Sequence, residues 1–346
     1  MASKGFYQRF LDLIFGESAE PETTVAVQGA PMLSSWLPYR SFDSKSRMFV
    51  NTASIGFILE IAPMMGADEK SGEILTQFLS DAVPAGCQLQ FINWQSPSVG
   101  EKIANWVSPR ISARGVYMRS AKHRARWLRR GAWLSLSRDA PFFLRSHRVF
   151  ISVGAKVGSV VDKDVLNTVR ESLSGTLQSL SIPSREMTPV ELMGFIDDFL
   201  VPAVDNGDRA ENYSPLDPIN IQCVRKDQET QITADRIVLK TERFRATGEK
   251  IDGAPVIAEV VPDNFDWRFF CVRNLPPVWA PWDVQKLIGD VGNDKLRFGC
   301  NVMTVVGLVF EDEEAVSSRA GMKALRTTSL ADSKSARFRP ELGLQK

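Results

Sequence analysis

The apolar positions change period several times along the chain, and each change marks an element. Met48, Phe49 and Val50, then an apolar and β-branched run over 54–61, are joined by Asn51-Thr52-Ala53. Two such runs across a short polar link predict a β-hairpin. Pro63 and Gly66 end the second run. Over 67–82 the period lengthens, and Ile74, Leu75, Phe78 and Leu79 fall on one helical face. Asp68 and Glu69 occupy the first turn of that helix, where negative charge complements the dipole, and Pro84-Ala85-Gly86 stops it. The next run, 87–94, carries Leu89, Phe91 and Ile92 and predicts a strand. Because it follows a helix, it is expected to return beside the hairpin as a βαβ unit.

Further along, 97–137 reads as largely helical with a break near Gly115, 145–153 as a strand, 164–180 as a helix and 184–187 as a short strand. Thr188 followed by Pro189 is the start signal of another helix, which runs to Leu200 and is stopped by Pro202. Residues 203–218 are polar, with Pro and Gly, and mark a boundary. Beyond it the pattern predicts strands at 219–224, 236–241, 256–261, 267–272 and 302–310, a short helix at 283–289 and a last helix at 313–326. Ahead of all this, Phe6, Phe10, Leu13 and Ile14 predict an amphipathic helix over 4–15. The residues leave open whether it packs on its own domain, lies on a membrane or partner, or is disordered. The expected fold class is mixed α+β: an α/β first half with a hairpin and a long basic helix, and a β-rich second half. The expected divisions are an amphipathic segment and linker over 1–30, an α/β subdomain over 31–205, a β-rich subdomain over 206–330, and a polar tail over 331–346. That tail lacks a closing element and reads as leading toward a further domain.

Composition narrows this picture. The 346 residues are 44% hydrophobic and 24% charged, ordinary for a soluble globular protein and enough for about two domains. A net charge of +1 gives the whole molecule no electrostatic reason to bind nucleic acid, so any basic surface is local. The four cysteines (Cys87, Cys223, Cys271, Cys300) are too far apart for a CxxC redox or zinc motif. Their apolar contexts predict buried free thiols and a cytoplasmic setting. The first apolar cluster is interrupted by Arg9 and Asp12, unlike a secretory signal, and no run reaches the length of a membrane span.

A search for chemistry returns little. Gly154-Ala155-Lys156-Val157-Gly158-Ser159 follows a strand and precedes a helix, but no Gly-Lys-Ser/Thr closes it as a phosphate cradle must. Gly248-Glu249-Lys250 reads as a turn. His123 and His147 share no metal-ligand spacing, and no GxSxG elbow supports a nucleophile. Asp197 and Asp198 are adjacent on a helix and therefore diverge, which argues against a shared acid–base role. Glu311 to Glu314 reads as a solvated helix start. No catalytic, cofactor-binding or metal-binding residue is assigned.

Two stretches stand out as surfaces. Residues 110–130 hold Arg110, Arg114, Arg119, Lys122, His123, Arg124, Arg126, Arg129 and Arg130 with no acid, edged by Tyr117, Trp127 and Leu128. A solvated helix face, a contact with protein or anionic membrane, and a nucleic-acid interface all compete for it. Arg138, Arg145 and Arg148 extend the same basic character along the chain. Asn274 to Trp282, with Trp279, Trp282 and three prolines, is a stiff apolar segment, either capping a core or contacting a partner.

Several strings carry a resemblance. Leu37-Pro-Tyr-Arg-Ser-Phe42, Ser54-Ile-Gly-Phe-Ile-Leu-Glu-Ile61 and Met65-Gly-Ala-Asp68 resemble the N-terminal region of the TraC family, the ATPases of F-type conjugative type IV secretion. Leu89-Gln-Phe-Ile-Asn-Trp-Gln-Ser-Pro97, Leu128-Arg-Arg-Gly-Ala-Trp133, the stretch 144–153 and the Asn274–Trp282 segment are similar to the same family in the same order. The family's Walker motifs have no counterpart here, since no GxxxxGK[ST] occurs. The resemblance implies a docking and assembly domain that holds the motor at the cytoplasmic side of the inner membrane, in machinery for pilus assembly and plasmid DNA transfer. It implies inner-membrane subunits, the protein's own C-terminal ATPase domain and further copies of itself as partners. ATP and Mg are expected in the motor and not in this chain. Candidate interface residues are Tyr39, Arg40, Arg119, Arg124, Arg126, Arg129, Arg130, Trp279 and Trp282. The alternative is a nucleic-acid-binding protein that uses the basic helix.

Overall fold

The computed structural model describes residues 32–64, 66, 68–139, 142–204, 213–224, 228–232, 236–241, 264–271, 298–312, 316–319 and 321–322. A one-turn helix α1 (Leu33–Trp36) leads into β1 (Tyr39–Asp43), β2 (Met48–Asn51) and β3 (Ser54–Ile61), which pair antiparallel in sequence order. The predicted hairpin is β2–β3. Helix α2 (Glu69–Asp81) starts at Asp68, whose carboxylate accepts from the Ser71 N–H at 2.8 Å. It ends before β4 (Cys87–Ser96).

The expected βαβ unit is split. Strand β5 (Ser146–Lys156) lies between β3 and β4 and pairs antiparallel with both, so β4 does not return beside the hairpin. The cause is in β5 itself. Phe150 is buried on one face and Ile151, Val153 and Ala155 on the other, and a strand apolar on both faces belongs inside a sheet. Beyond β5, α5 (Lys163–Ser179) crosses back to β6 (Ser184–Glu186), which pairs antiparallel with β3. The run β3-α2-β4-β5-α5-β6, with strands ordered β6-β3-β5-β4, is a ferredoxin-like split βαβ arrangement. The β1–β2 hairpin shares the β3 edge with β6, and β10 (Val302–Val309) pairs antiparallel with β4, Val302 opposite Gln95, to complete seven strands. The segments before and after residue 205 thus share one sheet.

Strand parity sends side chains to two cores. Phe57, Leu59, Cys87, Leu89, Ile151 and Val153 meet Phe78 of α2 and Leu166, Val169, Leu173 and Leu177 of α5. On the opposite face, Phe49, Trp94 and Phe150 meet α6 (Pro189–Leu200) through Leu192, Met193, Ile196 and Leu200. Helix α6 begins with the predicted cap. The Thr188 side chain accepts from the Glu191 N–H, and the Glu191 carboxylate accepts from the Thr188 N–H at 2.7 Å. Leu239 and Phe265, from a second sheet of β7 (Gln228–Ile232), β8 (Arg236–Thr241) and β9 (Asn264–Arg268), close this core.

Other sequence expectations are corrected. Residues 219–224 are not a strand but hold a one-turn helix, α7 (Ile219–Gln222), after Pro218. Consecutive Ile219 and Asn220 are both buried, and the Asn220 amide donates to the Ser34 carbonyl at 2.8 Å. A strand would have turned one of them away. The strand expected at 267–272 runs over Asn264–Arg268 and leaves Phe269 and Phe270 exposed. The long helical region breaks near Gly115 as expected, into α3 (Gly100–Ile111) and α4 (Gly115–Arg130), but the helix ends at Arg130 and residues 131–139 are turns and bends. Of the helix expected at 313–326, residues 316–319 and 321–322 are described and helical. The elements predicted at 4–15, 256–261 and 283–289 lie outside the described residues.

One position in the central ladder requires glycine. Gly56 faces Gly154 across β3–β5, and a Cβ at Gly56 would lie 2.2 Å from the Val153 carbonyl oxygen.

Candidate docking surface

Helices α3 and α4 form an antiparallel hairpin inserted between neighbouring strands β4 and β5. Its base is packed. Val99, Ile103 and Val107 join Ala132 and Val204 in a small cluster, with Trp106, Ala125 and Leu128 against it. Trp106 sits beneath two guanidinium groups, Arg110 at 4.2 Å and Arg124 at 5.8 Å from the ring centre. These are cation–π contacts that stiffen the two-helix arm. Further out the packing ends. Arg114 takes a left-handed backbone (φ 54) at the turn, and residues 108–117 are all exposed.

Helix α4 buries only Ala121. Arg119, Lys122, His123, Arg124, Arg126 and Arg130 are exposed, and Arg129 is half-buried. No acid pairs with Arg119, Arg124, Arg126 or Arg130 among the described residues. At roughly 100° per residue, Val116, His123 and Trp127 fall within about 20° of one line, with Arg119, Arg126 and Arg130 along one side of it. Ala121, Ala125 and Leu128 lie on the opposite face, against α3. Sequence reasoning named the basic residues and Trp127 but missed Val116, Ile111 and Trp106. The helical spacing of Val116 and Trp127 was the signal that could have found the first.

The basic stretch does not extend to Arg145 and Arg148. Arg148 donates to Glu60 at 2.8 and 3.2 Å, with its guanidinium 5.0 Å from the Phe150 ring. Arg185 donates to the same carboxylate at 3.0 Å and pairs with Glu191 at 2.9 Å. Burial pushes the Glu60 carboxyl up, but the hydrogen bonds and charges of Arg148 and Arg185 outweigh it, and the net shift is downward. Arg145 donates to the Ala132 carbonyl, and burial lowers its guanidinium to about 10, which leaves it charged at neutral pH. His147 is held below its ordinary value by burial and then by Lys102 and Arg145.

Tyr39 and Arg40 have different surroundings, and Arg40 sits where the β1–β2 register shifts between Tyr39 and Ser41. Tyr39 packs edge-on to Phe49 with ring centres 6.2 Å apart, and burial, with Cys223 nearby, raises its hydroxyl to about 12. Arg40 is exposed and donates to the Thr52 hydroxyl at 3.0 Å. Trp279 and Trp282 lie outside the described residues. Asp198 is fully buried and accepts from the Trp94 indole at 2.7 Å and the Ser96 hydroxyl at 2.9 Å, which ties α6 to β4. The turn after β5 holds no open helix start, because Asp162 already accepts from the N–H groups of Asp164 and Val165. Cys87 and Cys223 are buried free thiols as expected, whereas Cys271 and Cys300, just outside strands β9 and β10, are exposed. Among the described residues no cluster of His, Cys, Asp and Glu could hold a metal, and no helix is long and apolar enough to cross a membrane.

A split βαβ scaffold with a basic arm grafted between two of its strands is matched, over residues 33–346, by a family model described as TraC protein. The chain belongs to the TraC family and so to the components of conjugative type IV secretion. It is similar to Protein TraC of Escherichia coli (strain K12), with 25% identity over 343 residues. That match covers 94% of this chain and 36% of the relative, so the chain spans about a third of the curated protein's length.

Proposed function

We propose that this chain is a docking and assembly domain of a conjugative secretion ATPase, which anchors the motor to the inner-membrane complex. In this reading it works on the cytoplasmic side of the membrane, in pilus assembly and DNA transfer, and the motor that uses ATP and Mg is a different domain of the family protein. The observation that carries the reading is the arm. Nine Lys or Arg and one acid occupy residues 100–130 of a chain whose net charge is only +1. The arm is packed at its base, and Arg119, Arg124, Arg126 and Arg130 are exposed along it with no acidic partner among the described residues. A pre-organised charged surface favours association more than chemistry. The natural partners are membrane subunits of the secretion complex and other copies of the same protein.

The test is recruitment. The 346-residue chain should sediment with membranes carrying the secretion system's inner-membrane subunits, and Arg119→Glu with Arg126→Glu should release it. Retention of the double variant would remove the arm from the docking reading. The chain by itself should turn over no ATP above a buffer control, and measurable hydrolysis would overturn the separation of docking from motor. The exposed Arg119, Arg124, Arg126 and Arg130 also fit a nucleic-acid interface. That reading requires binding to duplex DNA which falls steeply with salt.

A further inference from the structure

The outer face of α4 presents more than charge. Val116 and Tyr117 are 70% and 76% exposed, Trp127 is 50% exposed, and Ile111 across the turn is 41% exposed. Single exposed apolar side chains are ordinary, but here two aliphatics and two aromatics line the outer surface of one projecting arm. We propose that this face docks on an anionic lipid bilayer. Val116, Trp127 and the turn residues Ile111 and Tyr117 enter the headgroup boundary, and Arg119, Arg126 and Arg130 lie on lipid phosphates. The inference rests on the reading that the chain works at a membrane, and it names the lipid itself as a partner.

Three observations favour a bilayer. Nucleic acid would take the arginines and stack on Trp127 or Tyr117, but it offers no apolar surface for Ile111 and Val116. A bilayer interface takes all of them, since aromatic rings lie at headgroup level and aliphatic side chains just below. The charge is placed to match. Arg119, Arg126 and Arg130 run along one side of the Val116–Trp127 line, while Ala121, Ala125 and Leu128 face inward. Finally, the apolar area is small, so it cannot hold the chain at a membrane without the electrostatic attraction of acidic headgroups. Both signals are present on one rigid element, which is what reversible surface binding requires.

The experiment uses the 346-residue chain with vesicles of phosphatidylcholine alone and of phosphatidylcholine doped with phosphatidylglycerol. Binding is read by co-sedimentation and by quenching of Trp fluorescence with brominated lipid. The chain should bind the anionic vesicles at low salt and the neutral ones hardly at all. At roughly fivefold per basic residue, the triple variant Arg119→Gln, Arg126→Gln, Arg130→Gln should bind on the order of a hundredfold more weakly. Val116→Ser should weaken binding, and Trp127→Phe should remove most of the bromolipid quenching while the far-UV spectrum stays unchanged. No binding to anionic vesicles at low salt, unchanged binding of the triple variant, or quenching that survives Trp127→Phe would each overturn the proposal. Binding only to membranes that carry the secretion subunits would overturn the lipid contact and leave the docking reading intact. Equal binding to protein-free anionic vesicles and to those membranes would sustain the lipid contact and sink the docking reading. Binding to DNA with none to vesicles would sink both.

Discussion

Helices α4 and α5 are nearly the same length, 16 and 17 residues, and have opposite tasks. Helix α5 buries Leu166, Val169, Leu173 and Leu177, one residue per turn, against the central strands. Helix α4 buries Ala121 alone and gives its outer face to arginine, valine and tryptophan. Length and helical periodicity are shared, so neither separates a helix that makes the fold from one the fold displays. The residues on the inner stripe do. Four long apolar side chains hold α5 in the core, whereas alanines on α4 allow close approach to α3 and leave little apolar surface buried.

The largest expected effect tests the α5 side of this comparison. Leu173→Ala removes a buried side chain at the centre of the stripe and should cost about 2–5 kcal/mol in urea unfolding. A loss below about 1 kcal/mol would mean that α5 is not the helix that holds this face. Next, Asp198→Ala strands the Trp94 indole N–H and the Ser96 hydroxyl in the core. It should cost on the order of 1–3 kcal/mol, with a change in Trp fluorescence. Glu60→Gln comes third, at on the order of 1–3 kcal/mol, because two guanidinium groups lose their shared carboxylate. Its pH dependence has a definite sign. The Glu60 carboxyl is depressed in the folded chain, so its contribution is present above the ordinary carboxylate value and is lost as pH falls from there through the lower value of the folded chain. Unfolding midpoints measured from neutral to acidic pH should drop less steeply in Glu60→Gln than in the parent. The smallest effect belongs to α4. Neutralising Arg119, Arg126 and Arg130 should shift stability by no more than about 0.5 kcal/mol each, since they are exposed and have no acidic partner among the described residues. A large loss there would show the arm to be structural and erase the contrast.

The local parts of this fold were legible from the residues. The β2–β3 hairpin, the Asp68 start of α2, the Thr188–Pro189 start of α6 and the basic character of α4 each follow from neighbours a few positions apart. What was not legible depends on distant partners. That β5 enters between β3 and β4 follows from pairings across nearly a hundred residues, Ile61 opposite Val149 among them. That Arg148 belongs to Glu60 and not to the basic arm is decided by the same ladder. The reading of 219–224 as a strand failed because β-branched Ile219 and Ile221 carry strand propensity, while the burial of consecutive Ile219 and Asn220 overrode it. Of the candidate surface, charge was visible as composition, and its apolar line was visible only once α4 had a known inner face.

The late arrival of β10 has a consequence for how the protein is made. Strand β4, Cys-Gln-Leu-Gln-Phe-Ile-Asn-Trp-Gln-Ser, has no charge, no proline and no glycine, which is the composition of a segment prone to stack with its own kind. In the finished sheet β5 and β10 cover its two edges. During synthesis β5 follows soon, but β10 begins only at Val302, more than two hundred residues after β4 ends at Ser96. At about 5–20 residues per second the outer edge of β4 waits for tens of seconds on the ribosome. A nascent chain of this protein therefore carries an uncapped, glutamine-rich strand edge until β10 has been made, and it is the stage at which a chaperone would matter most.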